Sequence, residues 1–368
     1  MRFFRVLFFI GLSSWGTALQ AQQNSLQELL KAAPDARTAV LKKLQESPNV
    51  SLQEIAAAMG KADAVQKNAL LAVAHQVLNR DPKNAIPQMN AILENKSLDP
   101  TIRYWAFTRI TGNSVEKRNA MLNTMLDDPA LPLRYEAVKH AMAEVVAKKE
   151  KGASDEESKK SYQELLVKAR LPEQIQEIAD ALKKFDVEVD LLKHFGFVAN
   201  WKVIASFDNH DQKGFPVVYG PEEAYEKTGK IDEAKQYNGK AGMVGWQPLT
   251  TDAKDGAVDL NPVFKNEKGA VAYAYAEFPV GQAIDCEVRL GCINANKVWV
   301  NGKLVFANEV YHTGMQIDQY SGAVQLKPGV NTVLVKVCQN EQTEQWAQDW
   351  KFQLRFSDAS GLAIRSSK

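Results

Sequence analysis

The sequence predicts an α+β protein of two parts, an all-α helical part followed by an all-β sandwich. Apolar residues recur at helical spacing from about residue 25 to residue 192, whereas several short runs after it are apolar at every second position. The run KVWVNGKLVF, Lys297 to Phe306, also has an Asn-Gly pair between two β-rich segments, which is the strongest short signal for a tight hairpin. The hydrophobic period therefore changes from 3.6 to 2 within the chain.

Length and composition are those of an ordinary globular protein. The chain has 368 residues, 45% of them hydrophobic and 24% charged, enough for two or three domains with cores of their own. Lys and Arg number 45 against 44 Asp and Glu, a formal net charge of +1, and no long basic stretch occurs. Because nucleic-acid binding requires a basic surface, we expect no nucleic-acid partner.

The first 21 residues, MRFFRVLFFIGLSSWGTALQA, combine two arginines, an apolar run and a small-residue end. This layout predicts a secretory signal peptide cleaved after Ala21. The alternative, an uncleaved anchor, requires about 20 apolar residues, and the run that begins at Val6 is shorter. We expect an exported protein, periplasmic or extracellular, with no membrane span after the signal is removed.

Residues 22–195 are predicted to form the helical domain. Single apolar stripes occur over residues 63–79, 133–146 and 172–185, and the first stripe includes Val65, Leu70 and Val73. The segments DPTIRYWA and DPALPLRYEA echo one another, and Arg103 and Arg134 occupy equivalent positions in them. This pattern resembles a HEAT-type helical repeat, with a period shorter than the usual ~40 residues. An irregular helical bundle is the alternative.

Residues 196–368 are predicted to form the β-sandwich domain. At least seven strands are expected, since runs such as WKFQLRF and NTVLVKV alternate apolar and polar residues between turn signals. Cys286 and Cys292 share one face of a strand but lie roughly 20 Å apart along it, too far to bond to each other. Cys338 could pair with either; we expect three buried thiols instead.

The Asn-Gly hairpin is apolar on both faces. A two-residue turn pairs Val300 with Lys303, Trp299 with Leu304 and Val298 with Val305. One face meets the opposite sheet. The other, with Trp299, Leu304 and Phe306, requires a cover, for which the helical half, a long loop or a ligand are the alternatives and domain contact is the commonest.

The segment from Cys292 to Asn340, with VWVNGK followed by LKPGVNTVLVKV, resembles the galactose-binding-like jelly-roll domain, in the sugar-binding variant of glycoside hydrolase family 2. The upstream WKVIASFDN is similar to the first strand of such domains in secreted bacterial repeat proteins, with Ala205-Ser206 in place of Gly-Pro. The resemblance covers about residues 201–364. It implies the fold, and leaves sugar binding, protein contact and scaffolding all open.

No catalytic constellation is found in the sequence. The five histidines form no metal-binding motif, and the chain has no nucleophile elbow, Walker loop or dinucleotide fingerprint. We therefore expect no enzyme and no cofactor. The loop FDNHDQKGF is rich in oxygen ligands for Ca²⁺, although the same residues are favoured simply as turn formers.

Two loops carry the aromatic and polar side chains that recognise sugars. The first has Tyr311, His312, Asp318 and Tyr320; the second has Gln342, Glu344 and Trp346. The sequence thus predicts a non-catalytic, exported interaction or scaffold protein whose partner is a protein or a glycan. A carbohydrate-binding protein that uses these loops is the alternative, and an unrecognised glycoside hydrolase is the third.

Overall fold

The structure is a computed structural model that describes residues 26–47 and 50–367. The predicted signal peptide, residues 1–21, lies outside them. Helices and strands are both present, which confirms the α+β class. The chain divides into two compact units, Met1–Ala169 and Arg170–Lys368, here called unit 1 and unit 2. Within the described residues, no helix combines the length and the apolar character needed to cross a bilayer.

Unit 1 is helical in all the regular elements described. They are α1 (26–31), α2 (Arg37–Glu46), α3 (Leu52–Met59), α4 (Ala64–Arg80), α5 (Pro82–Glu94), α6 (Pro100–Thr111), α7 (Val115–Leu122), α8 (Leu131–Glu150) and α9 (Asp155–Lys168). The two Asp-Pro pairs at the starts of α5 and α6 explain where these helices begin. Proline is the first helical residue in both, and Asp81 and Asp99 accept hydrogen bonds from backbone amides of the first turn.

The predicted stripes are buried along most of their length and wrong at two positions. In α4, Leu70 and Val73 are buried, but Val65 is 62% exposed. Gln66 is buried instead, because its side chain closes a capping box with Asp63 and donates to the carbonyl of Leu30. In α8 the last predicted member of the stripe, Val146, is also exposed.

The two echoing segments of unit 1 are joined by a buried ion pair. Both terminal nitrogens of Arg103 donate to the carboxylate of Asp128, over 2.6 and 2.7 Å, and Arg103 also donates to the carbonyl of Leu93. The equivalent Arg134 donates through Nε to the carbonyl oxygen of Asp128 at 2.8 Å. Asp128 is therefore held by the arginines of both segments.

Unit 2 begins with two helices, α10 (Pro172–Lys183) and α11 (Leu191–Phe195), that the sequence assigned to the helical domain. The sequence boundary at 195/196 follows the change of period. The structural division comes earlier, at Arg170, and α11 packs against a strand of unit 2. Arg355 donates to the carbonyl of Phe195, for example, and lies with its guanidinium 5.4 Å from the centre of that ring.

The rest of unit 2 is built from antiparallel strands and one further helix, α12 (Gly220–Thr228). The strands are β1 (Asn200–Asp208), β2 (Tyr237–Gly239), β3 (Gly242–Val244), β4 (Gln247–Thr250), β5 (Val258–Asp259), β6 (Ala270–Val280), β7 (Ile284–Cys292), β8 (Ala295–Val300), β9 (Lys303–Asn308), β10 (Tyr320–Leu326), β11 (Gly329–Gln339), β12 (Lys351–Ser357) and β13 (Ala363–Ile364). One sheet has the order β4-β1-β6-β11-β8-β9. The second has the order β10-β7-β12-β13, with β5 also paired to β12, and β2-β3 form a separate hairpin.

One hydrophobic core contains side chains from both large sheets. Trp201 of β1 meets Phe352 of β12 edge to face at 5.0 Å, and Phe278 of β6 lies 4.5 Å from Phe356 of β12. These residues alternate with the outward-facing ones along each strand, as a period of two requires. Cys286 and Cys292 belong to this core, and all three cysteines are buried and unbonded.

The hairpin keeps two of its three predicted pairs. Val300 pairs with Lys303 and Trp299 with Leu304, but Val298 pairs with Phe306 rather than Val305 because a bulge lies between Val298 and Trp299. The bulge lets Val305 and Phe306 both pack against the core between the sheets, while Leu304 stays 52% exposed. The predicted Val298–Val305 pair is therefore wrong.

The outer face of the first sheet is covered by the connection between β1 and β4, which contains α12. Trp299 is fully buried there and donates through Nε1 to Glu226 at 2.9 Å. The ammonium of Lys336 donates to Glu222 of α12 at 3.0 Å and to two backbone carbonyls. The cover thus belongs to unit 2 itself, which corresponds to the long-loop alternative and not to the domain contact expected as the commonest solution.

Candidate functional site

Three strands of the first sheet end on the same side of unit 2. β1, β9 and β11 run in the same direction, since each is separated from the next of them by one antiparallel strand. The loops that follow them come together, and residues 209–213, 311–312 and 340–346 are here called the loop cluster. Strand-end loops held by a rigid sheet are a common place for binding sites.

Asn209 holds the loop cluster together. It is fully buried, and its amide donates to the phenol oxygen of Tyr311 at 3.2 Å and to the carbonyl of Gln339 at 2.9 Å. Its side-chain oxygen accepts the amide of Gly214 at 3.0 Å. The oxygen and the nitrogen of this side chain are both hydrogen-bonded within the protein, so Asn209 stabilises the loop and is not a ligand residue.

Trp346 is the exposed aromatic side chain of the cluster. It lies in the short 3-10 helix Gln345–Ala347, is 61% exposed, and meets the ring of His312 at 5.0 Å with an interplanar angle of 88°. His312 Nε2 is 3.1 Å from the side-chain oxygen of the buried Asn340, whose amide donates to Gln342 at 2.8 Å. This chain of contacts holds the indole in place while leaving most of its surface in water.

Tyr311 belongs to the same cluster but lies between its exposed residues and the sheet. Its ring packs against the buried aromatic cluster on the outer face of the sheet, and its hydroxyl accepts the hydrogen bond from Asn209. Burial raises the pKa of the Tyr311 phenol far above its ordinary value, so this group stays neutral. Of the predicted residues, the structure brings together Tyr311, His312 and Trp346.

Asp318 and Tyr320 lie elsewhere, on the second sheet. Asp318 accepts hydrogen bonds from Arg355, including Nε at 2.7 Å, and from Arg289 at 2.7 Å. Burial alone would raise the pKa of Asp318, but these two arginines hold it below its usual value. Tyr320 begins β10 and packs against the core between the sheets. The structure therefore does not bring these two residues together with Trp346, because Asp318 is engaged in ion pairs and Tyr320 packs against the core.

The loop FDNHDQKGF brings metal-type ligands together within the loop cluster, but these ligands do not suit Ca²⁺. In the part of the chain that is described, His210, Asp211 and Glu341 place one ligand atom each within 4.8 Å of one another. All three are exposed, and the ammonium of Lys213 forms an ion pair with the carboxylate of Asp211 at 2.9 Å. Ca²⁺ takes oxygen ligands only, so an imidazole and a bound ammonium disfavour it. The residues instead bond to each other, with Glu341 accepting the backbone amide of Asp211 at 2.7 Å.

Asn209, Asn340 and Glu341 were not among the predicted site residues. Each forms contacts more than 25 positions away along the chain, and nothing in the local pattern indicates such partners. Only the polar character of the segments from Asn209 to Lys213 and from Asn340 to Glu344 was visible in the sequence.

No protein-family model matches the chain, and no curated protein matches its sequence. Among solved structures, the chain is similar to β-glucosidase from Kluyveromyces marxianus in complex with glucose, at 14% identity and a TM-score of 0.26, over 43% of this chain and 16% of that one.

The β-glucuronidase from an uncultured Clostridium is similar at 15% identity and a TM-score of 0.25, over 44% of this chain and 29% of that one. An anti-sigma factor domain-containing protein from Clostridium clariflavum is similar at 12% identity and a TM-score of 0.24, over 46% of this chain and 45% of that one. The chain spans less than half the length of these structures. Similarity this weak identifies neither a family nor an activity.

Proposed function

We propose that the protein is an exported, non-catalytic binding protein whose unit 2 binds carbohydrate at the loop cluster. The observation that carries this proposal is the indole of Trp346, 61% exposed yet fixed against His312. An aromatic ring that remains in water while its neighbours are hydrogen-bonded offers an apolar face at little cost in conformational entropy.

The surroundings of the indole suit the chemistry of sugars. A pyranose presents an apolar patch of C–H groups for an aromatic face and a ring of hydroxyls for planar polar groups. Glu344 and Gln345 are exposed next to Trp346 in the chain, and Gln342 and Glu341 lie on the same loop. A side-chain amide can donate to a hydroxyl or accept from it, and a carboxylate accepts from hydroxyls.

We also propose a fold for each unit, which is a more specific statement than its content of helices and strands. For unit 2 we infer a galactose-binding-like jelly roll, supported by two antiparallel sheets that share one core. For unit 1 we infer a HEAT-like repeat, supported by Arg103 and Arg134, which occupy equivalent positions and both bind Asp128. In a stacked repeat each copy contacts its neighbours, and the Arg103–Asp128 ion pair is a contact of this kind between the two echoing segments.

A second function, protein binding by unit 1, is favoured by large apolar side chains that face water. Val65, Ile86, Val115 and Val146 are 49–68% exposed on four different helices. Cross-linking of the full mature chain in a cell-envelope extract tests this role. Partner peptides joined to unit 1 in the native chain, and lost in the double variant Val65→Asn/Val115→Asn, would support it. Unchanged cross-links would contradict it.

A glycan array with the full mature chain tests the principal function. Binding to a defined subset of glycans is expected, with loss in Trp346→Ala and weakening in His312→Ala. Leu304→Ala, which removes another exposed apolar side chain at the opposite end of β9 from the cluster, serves as the matched control and should bind normally. Absence of binding, or equal binding by all variants, would refute the proposal. Turnover of a bound glycan would refute its non-catalytic part.

A further inference from the structure

A groove lies at the end of unit 2 opposite the loop cluster. It has a volume of about 580 Å³ and is bordered by α11, the first residues of β1, the second half of β6 and Arg365–Ser366 of the C-terminal segment. β1 runs from the groove at Asn200 to the loop cluster at Asp208, a separation of about 26 Å at ~3.3 Å per residue. The groove is therefore separate from the proposed sugar site, and its size is within the range of small-molecule sites.

The floor of the groove is apolar. Phe197, Val198, Trp201 and Phe278 line it, and all four are otherwise buried in unit 2. The indole nitrogen of Trp201 donates to the carbonyl of Val198 at 2.8 Å, so the floor is held rigidly and offers no free indole donor. A floor of this kind suits a ligand with an apolar or ring-shaped body.

Two cations at one end of the groove have no counter-ion. Arg365 donates through Nε to the carbonyl of Lys193 at 3.3 Å, which places the two side chains on the same rim. Within residues 26–47 and 50–367, neither the ammonium of Lys193 nor the terminal nitrogens of Arg365 have a hydrogen-bond or ion-pair partner. A guanidinium with both terminal nitrogens available matches a carboxylate in two-pronged fashion.

The remaining charges of the groove are already engaged. Lys202 is paired with Glu233 at 2.9 Å, and Glu277 is in contact with a neighbour. The positive charge also acts on His194 of α11. Burial first, and then the guanidinium groups of Arg365, Arg170 and Arg355, lower the pKa of this histidine. The uncompensated charge at this end is positive.

We propose that this groove binds a small carboxylate with an apolar or ring-shaped body, its anion held between Lys193 and Arg365. The chemistry is shared by aromatic or aliphatic acids and by sugar acids. An occupant would lie with its body on Phe197 and Phe278 and its carboxylate at the rim.

Ligand-observed NMR with the full mature chain tests the proposal. The probes are benzoate and glucuronate, each with its uncharged counterpart, benzyl alcohol and glucose. Because the ligands are small, millimolar affinity is expected for at least one acid, and binding about tenfold weaker for its counterpart. Benzoate alone would identify aromatic or aliphatic acids, glucuronate alone would identify sugar acids, and both would place the recognition in the carboxylate.

Variants locate the site. Lys193→Gln and Arg365→Gln should each weaken binding of the acid about tenfold, whereas Lys303→Gln, an exposed cation on β9, should leave it unchanged. Lys193→Gln removes no hydrogen bond of the side chain, so a fold defect in Arg365→Gln leaves the test intact. No binding of either acid, equal binding of the uncharged counterparts, or affinity that none of the variants alters would overturn the proposal. Trp346→Ala should not affect it.

Discussion

Arg103 and Asp128 form a two-pronged ion pair at 2.6 and 2.7 Å, with side chains only 1% and 5% exposed. Asp128 precedes α8 and Arg103 lies in α6, so the pair joins the first residue of the second echoing segment to the first segment. Its geometry satisfies both partners: Arg103 also binds the carbonyl of Leu93, and Asp128 also accepts the amide of Ala130.

Removal of one partner of this pair should destabilise unit 1 strongly. Arg103→Leu leaves a buried carboxylate without its counter-ion, and we expect a loss of about 3–5 kcal/mol in the free energy of unfolding. Lys149→Leu is the control, because its pair with Asp155 is exposed and should contribute about 0–1 kcal/mol. Denaturant unfolding followed by circular dichroism measures both. Equal losses would show that burial of the Arg103 pair has no special importance.

The two hairpin residues Trp299 and Leu304 should differ sharply although they are paired. Trp299 is fully buried under α12, so Trp299→Ala should cost about 3–5 kcal/mol. Leu304 is 52% exposed, and Leu304→Ala should cost less than about 1 kcal/mol. Denaturant unfolding followed by near-ultraviolet circular dichroism measures the difference. A large loss for Leu304→Ala would mean that another part of the protein covers that face.

His75 should make unit 1 sensitive to mild acid. Its Nε2 accepts the indole N–H of Trp105 at 3.1 Å, and burial, followed by the charge of Arg109, lowers the pKa of His75 below 6.5. The unfolded chain then binds the proton more readily, so stability is complete above pH 6.5 and declines as the pH falls toward the folded pKa.

His75→Gln tests this dependence, because glutamine keeps an acceptor for Trp105 without titrating. The loss of stability between about pH 7.5 and about pH 5.5 should be smaller in the variant than in the native chain. Hydrogen exchange of peptides from α6 at the two pH values gives the measurement. An identical loss in both proteins would assign the acid sensitivity to other groups.

Asp318 should matter for stability and not for sugar binding. Asp318→Asn leaves Arg355, 1% exposed, without its carboxylate, and we expect a loss of about 3–5 kcal/mol. Since the pKa of Asp318 is lowered in the folded protein, its contribution is complete above 3.8 and is lost as the pH falls below that value. Thermal unfolding measures the loss, and the glycan array with the folded variant should be unchanged. Loss of glycan binding by a fully folded Asp318→Asn would return this residue to the site.

The elements of this fold could be predicted where they have a period of their own. β1, β6, β7, β11 and β12 could be predicted from the alternation of their side chains, although β1, β6 and β11 are buried on both faces because the β1–β4 connection covers their sheet. α12 and β2–β5 could not be predicted from the sequence, because they are short and their burial depends on strands far away in the chain. The bulge at Val298 is invisible for the same reason, as an Asn-Gly turn sets only the first pairs of a hairpin.

The site was harder to predict than the fold. Tyr311, His312 and Trp346 follow strand ends that meet, so a correct topology was enough to bring them together. Asp318 and Tyr320 belong to the same loop in sequence, but Arg355 and Arg289 draw that part of it over the second sheet. The sequence alone does not distinguish a carboxylate that binds a ligand from one that forms an ion pair with an arginine.

The three cysteines offer a practical gauge of this molecule. All of them lie in unit 2 and none is bonded. Burial raises the pKa of Cys286 to about 11 and the pKa of Cys292 and of Cys338 to about 12, so the thiolate fraction at neutral pH is very small. A maleimide or an iodoacetamide should therefore modify the protein only when unit 2 opens. The rate of alkylation, measured by mass spectrometry, therefore reports the opening of unit 2 alone, because unit 1 contains no cysteine.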